Sequence, residues 1–143
     1  MYLFDTNVVS ELRKGERADA GVLQLVRALD ARDARVYLSV VTLGELRRGV
    51  DLLRHRGDAP QAERLEAWLG VLLDGYGDRV LDFGREEALL WGRLRCPHPE
   101  NALDKQIAAT ALINDLTLVT RNTRDFSATG VALLNPFSGA LAP

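Results

Sequence analysis

Val36-Tyr37-Leu38-Ser39-Val40-Val41 runs directly into Thr42-Leu43-Gly44-Glu45-Leu46-Arg47-Arg48-Gly49-Val50. The first six residues are rich in β-branched side chains and predict a strand. From Thr42 the apolar period lengthens. Leu43, Leu46, Val50 and Leu53 form one stripe, which is helical spacing. A strand that passes straight into an amphipathic helix is the repeating unit of layered α/β folds.

The same alternation extends outward in both directions. Tyr2-Leu3-Phe4 is a short apolar strand that opens into Asp5-Thr6-Asn7, good helix-start chemistry. Residues Val22 to Leu29 are helical by spacing. Pro60 to Leu73 form another helix, with Leu65, Trp68, Leu69 and Leu72 facing inward. Val80 to Phe83 predict a strand, Glu86 to Leu94 a helix, and Asn101 to Leu112 a further helix. Leu116 to Thr120 and Val131 to Leu134 complete the strands. The fold class is therefore α/β with a mostly parallel sheet. In such sheets ligands bind beyond the carboxyl ends of the strands, so the residues that follow each strand carry the functional question.

Composition narrows the classes. A length of 143 residues suits one domain, and 47% hydrophobic with 27% charged residues is ordinary globular usage. No apolar run approaches the roughly 20 residues needed to span a bilayer, and the N-terminus lacks a signal-peptide pattern, so no membrane association and a cytoplasmic location are expected. Cys96 is the single cysteine, which rules out an intrachain disulfide and a thiolate zinc site. His55 and His98 lie in Arg- or Pro-rich, loop-like surroundings without partners at ligand spacing, and are expected to be plain surface residues. The formal net charge is −2, and of 18 basic residues only Lys14 and Lys105 are lysines. Arginine is the better bidentate phosphate ligand.

Four carboxylates stand out. Asp5 follows the first strand, and Asp125 lies beyond the fourth in Thr120-Arg121-Asn122-Thr123-Arg124-Asp125-Phe126. Either could be a turn residue. Glu45 shares a helical face with Gly49 and Leu52, bordering the apolar stripe; it could instead be an exposed helical glutamate. Asp104 opens the stripe Asp104, Ile107, Ala108, Ala111, Leu112, so a carboxylate begins a buried helical face. A capping contact with Asn101 is its structural alternative. Brought to one sheet edge, four acids repel unless they hold hard cations such as Mg²⁺ or Mn²⁺, an arrangement suited to phosphodiester hydrolysis.

The sequence resembles the PIN-domain family. The resemblance is carried by Asp5-Thr6-Asn7, by Glu45 within Thr42 to Gly49, by Asp104 within Asp104 to Ala111, and by Val119 to Phe126. Leu134-Asn135-Pro136-Phe137 resembles the close of its members. The VapC-type toxins, in particular the FitB-like ones, are the most similar subgroup. The resemblance implies a three-layer α/β/α sandwich with a central, mostly parallel sheet over residues 1–137, and a short tail at 138–143. It implies Mg²⁺- or Mn²⁺-dependent endoribonuclease activity that leaves 5′-phosphate and 3′-hydroxyl ends. Asp5, Glu45, Asp104 and Asp125 would be the metal-binding catalytic acids. Thr6, Asn7, Thr120 and Asn122 would support them, and Arg13, Lys14, Arg47, Arg48 and Arg121 would bind RNA. A cognate DNA-binding antitoxin and a homodimer are the implied protein partners.

Two alternatives stay open. An aspartyl-nucleophile phosphatase also places an Asp after its first strand, but usually wants a second acid two residues on, where this chain has Asn7. A non-catalytic binding protein could use the same scaffold.

Overall fold

The computed structural model describes residues 1–138. Five strands form one sheet: β1 (Tyr2–Phe4), β2 (Val36–Ser39), β3 (Val80–Leu81), β4 (Thr117–Val119) and β5 (Leu133–Leu134). Their order is β3-β2-β1-β4-β5, and every pair is parallel. The helices among the described residues are α1 (Thr6–Leu12), α2 (Ala20–Ala31), α3 (Val40–His55), α4 (Ala59–Tyr76), α5 (Arg85–Leu94), α6 (Ala102–Ile113) and α7 (Thr123–Phe126). None is long and apolar enough to cross a membrane.

The two-residue period of the strands divides the core into two layers. Phe4, Leu38 and Val119 face one side, where they pack with Val8, Val9, Val22, Leu46 and Leu69 from α1 to α4. Leu3 and Leu118 face the other, against Ile107, Ala108 and Ala111 of α6 and Phe126 of α7. This is the expected three-layer α/β/α arrangement, with the sheet parallel throughout.

Element boundaries depart from the sequence reading where capping chemistry competes with β propensity. The strand expected over Val36 to Val41 stops at Ser39. The Ser39 hydroxyl accepts the Val41 N–H at 3.0 Å, so Val40 and Val41 enter α3. Asp82 and Phe83 are not in β3; Phe83 instead meets Trp91 edge-on, with ring centroids 6.1 Å apart. Leu116, Thr120, Val131 and Ala132 also lie outside the strands. His55 belongs to the last turn of α3 rather than to a loop, and both histidines are exposed. Helix α4 is longer than expected. Asp58 caps it by accepting the Gln61 N–H, and Pro60 sits in the first turn, where it needs no donor. Helix α6 is buried well beyond one stripe: Lys105, Ala109 and Thr110 join Ile107, Ala108 and Ala111.

The segment after β5 closes over the start of α2. Phe137 is buried in the α1/α2 layer. Ser138 donates through its N–H and its hydroxyl to Asp19, the N-cap of α2, at 2.9 and 2.7 Å. A side chain at Gly21 would collide with the Pro136 carbonyl oxygen, so this close passage requires glycine there. Apart from Ser138, the tail expected at 138–143 lies outside the described residues.

Candidate active site

The register of the central strands sets three carboxyl ends level. Phe4 pairs with Val119, and Leu3 with both Tyr37 and Leu118. Asp5, Thr120 and the start of α3 therefore emerge side by side at one edge.

Asp5 is only 3% exposed. It caps α1, with Oδ1 accepting the Thr6 N–H at 2.8 Å. Its Oδ2 accepts the Thr120 hydroxyl at 2.7 Å and the Asn7 amide at 3.2 Å. Burial pushes its pKa up, while the bonds from Thr120, Thr6 and Asn7 pull against that shift. Glu45, on the second turn of α3, accepts the Thr6 hydroxyl at 2.8 Å, and the Thr6 and Thr42 hydroxyls lie 3.1 Å apart. Thr42 is fully buried beneath this pair. Thr42 is not part of the apolar stripe read from the sequence, and nothing there signalled that its hydroxyl faces the acids.

Asp104 projects from the first turn of α6. The capping alternative does not hold: Asn101, the N-cap, adopts a left-handed backbone (φ 56°) and makes no side-chain cap bond. The Asp104 carboxyl is pushed up to about 6, first by burial and then by the negative fields of Asp5, Asp125 and Glu45. Among the described residues, no hydrogen-bond donor or basic side chain opposes that rise. Asp5, Thr6, Asn7, Glu45, Asp104 and Asn122 line one open cleft of about 230 Å³. Asp125 is not part of that lining. It sits exposed within α7, and its charge reaches Asp104 through space.

The supporting polar residues form a chain. Thr120 Oγ1 accepts from the Asn7 amide at 3.3 Å and from the Asn122 N–H at 3.0 Å. Asn7 Oδ1 accepts the Arg121 N–H at 3.1 Å. The arginine and lysine candidates have divergent surroundings. Arg47 is paired with Asp51 at 3.0 Å and with Glu66 of α4 at 2.5 Å. Arg54 and Arg47 together pull Glu66 down to about 2. Lys14 pairs with Glu11 at 3.0 Å, and the Arg121 guanidinium stacks 3.9 Å from the Phe137 ring centroid. Arg48 is exposed on α3, and Arg13 is exposed just past α1.

Among the described residues, no three Asp, Glu, His or Cys side chains are drawn together tightly enough to enclose an ion outright. The acids border an open cleft rather than a cage. An open cleft suits Mg²⁺, which keeps several waters in its coordination shell. An oxygen-only donor set favours Mg²⁺ or Mn²⁺ over softer metals.

The PIN-domain family profile matches residues 2–132. Toxin FitB of Neisseria gonorrhoeae is 37% identical over 143 residues, covering 96% of this chain and 99% of that protein. VapC ribonuclease Y4jK of Sinorhizobium fredii is 32% identical over 146 residues, covering 98% and 100%. Among solved structures, FitAB bound to an IR36 DNA fragment superposes with a TM-score of 0.73 at 35% identity, over 95% of each chain.

Proposed function

Since this chain belongs to the PIN-domain family, we propose that it is a Mg²⁺- or Mn²⁺-dependent endoribonuclease, the toxin of a toxin–antitoxin pair, that hydrolyses RNA to 5′-phosphate and 3′-hydroxyl ends. The observation that carries the reading is Asp104. Its half-buried carboxyl is raised first by burial and then by the charges of Asp5, Asp125 and Glu45, and it lines one cleft with Asp5 and Glu45. A group so placed is relieved by a cation.

Asp5, Glu45 and Asp104 would hold the ion, and Asp125 would add its charge from the rim. The chemistry such an ion supplies is Lewis-acid activation of water and neutralisation of charge on the phosphate. The chain's own residues do the positioning. Thr120, Asn7 and the Thr6 N–H fix both oxygens of Asp5, and the Thr6 hydroxyl fixes Glu45. Held this way, the carboxylates need little reorganisation when charge develops on a phosphate beside them. Asn7 also weighs against the phosphatase alternative. The position that would hold a second acid carries an amide that donates to Asp5.

RNA would approach across Arg13, Lys14, Arg48 and Arg121, with Arg47 behind them in its ion pairs. A relative named as a toxin, and a related structure of FitAB on DNA, support a small antitoxin that binds DNA and silences the nuclease. A homodimer is part of the same reading.

The test is cleavage of a labelled single-stranded RNA by the purified chain. Cutting is expected with Mg²⁺ or Mn²⁺ and not in EDTA, and Asp104→Asn should lower the rate by about a hundredfold. Cleavage that persists in EDTA, or is undiminished by Asp104→Asn, overturns the reading.

A further inference from the structure

A second recess adjoins the acidic cleft. It lies between α1, α3 and α4 and has a volume of about 260 Å³. Thr6 and Glu45 line both compartments, so their 2.8 Å hydrogen bond is the partition between them. Beyond that partition the recess changes character. Trp68 and Leu65 of α4 supply apolar surface, while Ser10 and Arg13 supply a hydroxyl and a guanidinium at an exposed rim.

Gly49 is the informative member of the lining. It lies in the interior of α3, where glycine weakens a helix relative to alanine. Close packing does not require it. An added Cβ would stand 3.7 Å from Leu65 Cδ2, an ordinary contact. Nor does the backbone require it, since the residue is plainly helical. Glycine leaves this part of the lining without a side chain.

We propose that this recess takes a nucleobase of the RNA next to the phosphate being cut, and so sets cleavage-sequence preference. The inference rests on the nuclease reading given above. Single-stranded RNA is recognised by splaying a base out, stacking it on an aromatic ring or guanidinium plane, and hydrogen-bonding its edge. Trp68, Arg13 and Ser10 provide those three elements. Because Thr6 and Glu45 line both compartments, a base in the recess would belong to a nucleotide next to the phosphate in the cleft. Ligand sites are commonly of this kind, apolar with a few polar groups at fixed positions.

The experiment narrows the recess from its floor. Wild type, Gly49→Ala and Gly49→Leu are incubated with Mn²⁺ and a pool of RNAs carrying a randomised single-stranded segment, and the new 5′ ends are sequenced. Thermal melts run alongside. Gly49→Ala is expected to melt higher than wild type and to shift preference slightly. Gly49→Leu is expected to change the nucleotide favoured at one position beside the cut. For the sequence wild type prefers, its KM should rise about fivefold or more, the lower range for losing one base–aromatic stack, with kcat within about twofold. Should Gly49→Leu fail to fold, the Gly49→Ala shift decides alone. Folded variants that keep wild-type preference and KM overturn the proposal. They do so even if they have escaped neutralisation by the antitoxin, because the recess then belongs to the protein partner. If wild type cuts no member of the pool, the nuclease reading falls and takes this inference with it.

Discussion

Thr120 Oγ1 donates a 2.7 Å hydrogen bond to Asp5 Oδ2 across 115 residues of sequence, and both groups are buried. The bond exists because β1 and β4 are parallel neighbours in register. It also opposes the rise that burial imposes on the Asp5 pKa.

Removing that hydroxyl should therefore show in a pH profile. Thr120→Val keeps the shape and loses the donor, so the Asp5 carboxyl rises further. Ionised Asp5 is the form that would hold a cation, so the acidic limb of the rate profile should move to higher pH. Stability should drop by about 1–2 kcal/mol. An unmoved acidic limb would separate Thr120 from the site.

Asp104→Asn should stabilise the metal-free protein. The folded chain holds the Asp104 proton up to about pH 6, against an ordinary value of 3.8. A raised acid pKa means the folded state binds the proton more tightly. This group's contribution is therefore most favourable below about pH 4 and falls as pH rises toward 6, then levels off. Because the carboxyl is half exposed, solvent screening reduces the cost at neutral pH to about 1 kcal/mol. The mutant should melt a few degrees above wild type at pH 7.5, and the gap should close near pH 4. A mutant that melts lower at neutral pH refutes the repulsion account.

Metal should act on the same balance. At about a hundred times its dissociation constant, an ion that binds only the folded chain adds roughly 2.7 kcal/mol. Mn²⁺ should raise the wild-type melting temperature by several degrees in a concentration-dependent way, and should hardly move Asp104→Asn. Equal shifts in both proteins would show that Asp104 is not a ligand.

The arginine pair on α3 should divide. Arg47 is held by Glu66 and Asp51, whereas Arg48 is exposed. Arg48→Ala should weaken RNA binding and reduce the salt slope by about 1. Arg47→Ala should change the slope less. Equal slopes for both variants and wild type would make this helix face a bystander.

A cleft lined by Asp5, Glu45 and Asp104 should accept a basic side chain. The antitoxin should place an arginine or lysine against Asp5, Glu45 or Asp104. A solved complex in which those acids stay open while RNA cutting is blocked would contradict this.

The sequence exposed the period changes, and so the alternation of strands and helices. It also showed Asp104 at the head of a buried face. What it hid was set by side-chain partners, some adjacent and some far along the chain. Val40 and Val41 have strand-like side chains, yet the Ser39 hydroxyl redirects them into α3. Arg47 looks like a phosphate ligand until α4 brings Glu66 beside it. Asp125 looks equivalent to the other acids, but α7 leaves it exposed outside the cleft lining. The buried Thr42 hydroxyl has meaning only once Thr6 is above it.

The strand order carries a consequence for synthesis. β1 is made first yet lies at the centre of the sheet, and its β4 neighbour is among the last elements made. On a translating ribosome, Asp5 emerges long before Thr120 exists to orient it, and Glu45 and Asp104 have no common edge to meet at. An incomplete nascent chain therefore lacks the assembled cleft, and whatever chemistry the cleft performs is withheld until β4 and the loop after it have cleared the exit tunnel.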